Sequence, residues 1–126
     1  MLVPLPSHVW VVEPNDETRA VLREIAPPDA ELMDDQEFRR RIDRGARPNA
    51  LLIDGTCLLQ LDGQRPALEG IVRTLIVTGR AADALPRGYM RRPSVQFLRK
   101  PFQLNDMERA MRWLTGGADE GWADLA

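Results

Sequence analysis

This sequence is short of the residues that most often do chemistry or recognition. Its 126 residues include one cysteine, one histidine and one tyrosine. A single thiol, Cys57, excludes an internal disulfide and any cysteine-cluster metal site. Net charge is only −2, with a pI near 5.4. No overall basic field therefore draws the chain to nucleic acid or to an acidic membrane surface. The run Arg39-Arg40-Arg41 reads as a solvated helix face, since no aromatic platform accompanies it. No apolar run approaches the roughly 20 residues needed to span a bilayer. Met1-Leu2-Val3-Pro4 lacks the basic start and apolar stretch of a signal peptide. A reducing, cytoplasmic location is the expectation.

What is present suits one globular domain. Hydrophobic residues make up 44% and charged residues 29%, enough to cover a core and solvate its surface. Residues 1–7 read as an extension, 8–115 as the domain and 116–126 as an acidic tail. Strand and helix alternate. His8-Val9-Trp10-Val11-Val12 is a first strand, and Asn15 or Asp16 caps a helix with Val21, Leu22 and Ile25 inward. Pro27-Pro28 stops it. Ala30 to Met33 is a short second strand. Asp34 or Asp35 caps a second helix with Phe38 and Ile42 inward, and Gly45 ends it. Ala50 to Asp54, Thr74 to Thr78 and Val95 to Arg99 are three further strands. Between them, Gly55 to Pro66 and Arg80 to Arg92 predict helices that are short or irregular, the latter broken at Pro86 and Gly88. Leu104, Met107, Met111 and Leu114 mark a last helix. The alternation predicts an α/β doubly wound parallel sheet of five strands.

Three of these strands end on polar groups: Asp54, Thr78 and Lys100. Groups at the carboxyl ends of parallel strands converge on one crevice. An acid, a hydroxyl and an ammonium gathered there suit the handling of a phosphoryl group on a carboxylate.

Four blocks carry a family resemblance. They are Val11-Val12-Glu13-Pro14-Asn15, Leu52-Ile53-Asp54, Val77-Thr78-Gly79 and Arg99-Lys100-Pro101-Phe102. Together they resemble the signature blocks of receiver domains from two-component response regulators (the chemotaxis type), over about Val9 to Leu114. The resemblance implies the flavodoxin-like strand order 2-1-3-4-5 and a cis bond between Lys100 and Pro101. It makes Asp54 the acceptor of a phosphoryl group from a histidine kinase or phosphotransfer partner. Thr78 would bond the arriving phosphoryl oxygen, Lys100 would pair with it, and Phe97 would be the aromatic that turns inward with Thr78. Metal would be held by Glu13, Asp54 and the backbone carbonyl of Thr56, with Asp16 a further acid within reach. The family carries two adjacent acids at the first strand end, whereas this chain has Glu13-Pro14. Proline offers no side-chain ligand. Mg²⁺ is therefore expected to bind weakly or not at all.

The resulting expectation is a stand-alone signalling domain, monomer or homodimer, whose output is contact with a downstream protein, with no enzymatic role. The alternative is a pseudo-receiver that binds partners without phosphorylation. A third reading, a haloacid-dehalogenase-type phosphatase, is weaker: Asp54-Gly55-Thr56 echoes half of that motif, but Leu52 stands where its nucleophile would be. His8 and Cys57 are expected to be structural.

Overall fold

The computed structural model describes residues 8–60, 70–79 and 94–116. Five strands form one parallel sheet: β1 (Val9–Val12), β2 (Glu31–Met33), β3 (Ala50–Asp54), β4 (Arg73–Thr78) and β5 (Val95–Arg99). Their order is β2-β1-β3-β4-β5, as expected. The described helices are α1 (Asp16–Ile25), α2 (Asp35–Asp43), α3 (Gly55–Gln60) and α4 (Leu104–Leu114). The irregular helix expected between Arg80 and Arg92 lies outside the described residues, as do residues 1–7, 61–69 and the tail from Gly117.

The central strands β1, β3 and β4 are buried on both faces, which is why they read as largely apolar runs. Two packed layers result. Trp10, Val12, Leu51, Ile53 and Ile76 face Phe38 and Ile42 of α2 and Cys57 and Leu58 of α3. Val9, Val11, Leu52, Leu75 and Val77 face Leu22 of α1 and Met107, Ala110, Met111 and Leu114 of α4. Each fully buried Leu or Ile here contributes about 1.5–3 kcal/mol of hydrophobic stabilisation.

Local chemistry sets the helix ends. Asn15 caps α1, its side chain accepting the Thr18 N–H at 2.9 Å. Asp34 caps α2 in the same way through the Glu37 N–H at 2.9 Å. Gly45 follows α2 with φ +87°, a left-handed conformation that a side chain would strain. Two expected core positions are instead exposed: Val21 at 53% and Leu104 at 54%. Each helix needs only one stripe against the sheet, and Leu22 on α1 and Met107 on α4 already fill it.

The edge strand β2 is protected by charge. Arg41 of α2 reaches back over the Trp10 ring, 5.3 Å from its centroid, and pairs with Glu31 of β2 at 3.1 Å. Glu37 accepts from Arg41 at 2.9 Å and is held below the usual carboxylate range by that bond. Arg41 is thus a half-buried strut within the run of arginines that the sequence reads as a solvated face.

Candidate functional site

The sheet order changes direction between β1 and β3, and the crevice lies at the carboxyl ends of the strands there. Glu13 follows β1, Asp54 ends β3, Thr78 ends β4 and Lys100 follows β5. All four predicted positions meet at one edge. Glu13 and Asp54 are buried, at 4% and 8% exposure, and Thr78 is buried beside them.

Lys100 holds the two acids together. Its Nζ donates to Asp54 Oδ1 at 3.0 Å and lies 4.0 Å from Glu13 Oε1. The backbone fixes its root: the Lys100 N–H donates to the Thr78 carbonyl at 2.9 Å, and the Lys100–Pro101 peptide is cis. The other carboxylate oxygens are also engaged. Asp54 Oδ2 accepts the Thr56 N–H at 3.0 Å, and Glu13 Oε2 accepts the Asn15 N–H at 2.9 Å. Burial pushes the Glu13 carboxyl above its ordinary value; the Asn15 N–H and the Lys100 ammonium oppose that shift only in part.

Three contributors escaped the sequence reading. Gly55 is the first. A Cβ there would stand 2.9 Å from both Cβ and Oγ1 of Thr78, so α3 starts against the β4 hydroxyl only because residue 55 lacks a side chain. The Asp-Gly pair was its signal in the sequence. Arg19 is the second: its guanidinium donates to the Glu13 carbonyl oxygen at 2.7 Å and pairs with Asp16. The third is the Asn15 N–H on Glu13. Spacing alone would not reveal Arg19 or Asn15, because their partners lie on a turn whose path is set by tertiary packing.

The remaining candidates divide. Phe97 pairs in register with Ile76, one pleat before Thr78 on the same face, and packs against the α2 and α3 layer. Asp16 does not lean into the crevice. Its side chain is 88% exposed and is held outside by Arg19. Thr56 lies in the first turn of α3, where its N–H is engaged by Asp54 Oδ2 at 3.0 Å. Cys57 is buried and its thiol is pushed up to about 12, by burial first and by Asp54 next, which leaves it protonated filler. His8 is exposed at the far end of β1, where its carbonyl accepts the Asn49 N–H at 2.8 Å.

The residues present do not fit a divalent cation. Among the described residues no group of three His, Cys, Asp or Glu side chains could hold one. Pro14 is exposed and ligand-free, and the two available carboxylates already share Lys100.

No protein-family model and no curated protein matches the sequence. Solved structures do match the fold. One is a response regulator receiver protein from Burkholderia phymatum, with TM-score 0.62 and 19% identity, covering 89% of this chain and 97% of that one. A pilus assembly-related protein from Burkholderia pseudomallei K96243 gives TM-score 0.59 and 18% identity over 94% of this chain and 96% of that one. The Mn²⁺-bound form of response regulator Rcp1 gives TM-score 0.56 and 18% identity over 96% and 97%. The chain therefore has the receiver fold. No described helix is long and apolar enough to cross a membrane.

Proposed function

We propose that this chain is a signalling module of the receiver type, cytoplasmic and without an enzymatic role of its own, that accepts a phosphoryl group on Asp54. The observation that carries the reading is the Lys100 ammonium 3.0 Å from Asp54 Oδ1, at the one edge where Thr78 is also buried. In the reaction, an Asp54 carboxylate oxygen attacks the phosphorus of a phosphohistidine on a kinase or phosphotransfer protein. A P–O bond forms as the P–N bond breaks. The imidazole nitrogen leaves with the electron pair and takes up a proton. Lys100 offsets charge on the arriving group as a point charge, and the Thr78 hydroxyl donates to one of its oxygens. Moving Thr78 toward the phosphoryl group would leave space on the face that Phe97 shares, which links the site to β5 and to a downstream protein partner.

The test is incubation with acetyl phosphate, with and without a divalent ion since Rcp1 was solved with Mn²⁺, read by intact mass. One phosphoryl group is expected on the wild type and none on Asp54→Ala. No adduct under either condition, nor with a phosphorylated partner as donor, overturns the reading.

A second reading is a phosphorylation-independent interaction module. Pro14 in the ligand position and the sharing of Lys100 by both acids favour it. It predicts partner affinity unchanged in Asp54→Ala.

A further inference from the structure

We infer that Lys100 is the resident cation of the acidic crevice, and that the crevice takes up no divalent metal ion in competition with it. Each of the four carboxylate oxygens of Glu13 and Asp54 faces a backbone N–H or the Lys100 ammonium. Glu13 and Asp54 are buried together, and a positive charge between two adjacent buried carboxylates offsets their mutual repulsion. In this chain that charge is covalently tethered. The ammonium stands 3.0 Å from Asp54 and 4.0 Å from Glu13. One oxygen of each acid is taken by a backbone N–H, from Thr56 and Asn15. The oxygens that remain are the two that face Lys100.

A small divalent ion such as Mg²⁺ requires near-octahedral coordination by about six oxygens, with one or two free carboxylates among them. To enter here it would have to displace the ammonium. It would gain no third side chain, because Pro14 has none to give and Asp16 is turned out against Arg19. A tethered ammonium also carries no cost of recruitment from solution, so it outcompetes a weakly coordinated ion at ordinary concentrations. The crevice is then an acid pair half-neutralised from within, and its charge state does not follow the supply of divalent ions.

The experiment titrates Mn²⁺ alone into the full chain and follows paramagnetic broadening of the Glu13, Asp54, Gly55 and Thr56 amide resonances. A Mg²⁺ thermal-shift series runs in parallel. The wild type is expected to show no saturable broadening below millimolar Mn²⁺ and no shift with Mg²⁺. Lys100→Met keeps an apolar stem without the charge. It is expected to bind Mn²⁺ at those amides at least about tenfold more tightly than the wild type, as unscreened attraction from two carboxylates would give. Lys100→Gln serves the same purpose if the methionine variant does not fold. Saturable sub-millimolar binding by the wild type overturns the inference. So does equal absence of binding in the wild type and in the uncharged variants, because Lys100 would then not be what keeps the ion out. Phosphoryl uptake on Asp54 is not read by this experiment, so the inference and the proposed function can fail separately.

Discussion

The two ends of the sheet use the same device to opposite effect. At the amino edge, Arg73 of β4 lays its guanidinium over the Trp113 ring, 5.2 Å from the centroid, and donates to the Trp113 carbonyl. The cation meets a neutral acceptor and a ring near the carboxyl end of α4, where a helix favours positive charge. Backbone bonds lace the same edge. The Asn49 N–H donates to the His8 carbonyl at 2.8 Å, and the Asn49 carbonyl accepts the Val72 N–H at 2.8 Å. At the carboxyl edge a single ammonium, Lys100, is set against two buried carboxylates, Glu13 and Asp54. One edge sets its cation against a ring and a carbonyl and ties the fold together. The other holds an excess negative charge out of water, which costs stability and leaves reactive groups poised.

Substitutions at either edge sharpen this contrast. The largest effect is expected at Gly55, where an added Cβ would lie 2.9 Å from Thr78. Gly55→Ala should cost about 1–3 kcal/mol in urea denaturation by overpacking and should slow phosphoryl uptake by displacing the hydroxyl. Wild-type stability in that variant would mean that α3 and β4 can part at this edge without penalty. Next comes the amino edge. Arg73→Ala removes the ring contact and the bond to the Trp113 carbonyl, for a loss of about 1–2 kcal/mol, while labelling of Asp54 stays at the wild-type level. Reduced labelling would show that the two edges are coupled through the sheet.

The smallest effect is expected at Glu13, with the opposite sign. Burial raises the Glu13 pKa above its unfolded value of 4.5, so the folded chain binds that proton more tightly than the unfolded one. The associated stability is present below the unfolded pKa and is lost as pH rises through the folded pKa. Glu13→Gln has no such dependence. Its melting temperature should exceed that of the wild type by a few degrees at pH 7, and the gap should close on acidification toward pH 4. A variant less stable than the wild type at neutral pH would show that the Lys100 attraction outweighs the burial of the acid.

The contrast between the edges also marks what could be read without coordinates. The carboxyl-edge trio was legible because strand ends announce themselves: Ile53 to Asp54 and Val77 to Thr78 switch from apolar run to polar group, and the run from Val95 closes on Arg99-Lys100-Pro101. The amino-edge lock was not legible, because Arg73 and Trp113 are 40 positions apart and carry no local pattern. Helix faces were half legible. Leu22, Phe38, Ile42, Met107 and Met111 are buried as their spacing predicts, but Val21 and Leu104 point outward. Periodicity gives a stripe, and which edge of the stripe meets the sheet depends on how the helix is rotated against it. Arg41 shows the same limit: its position among three arginines suggested solvent, yet it reaches Trp10 and Glu31.

By itself the sequence determined the alternation of strand and helix, the two-residue windows that cap the first two helices, and the polar groups that close three strands. These follow from short-range chemistry: burial of apolar runs, side chains that satisfy free N–H groups, and turns that stop a helix. Tertiary structure alone decided that Lys100 spans both Glu13 and Asp54 and that Gly55 is where α3 meets Thr78. Those outcomes depend on distances between chain segments dozens of residues apart. Only the packed sheet, with β1, β3, β4 and β5 side by side, fixes them.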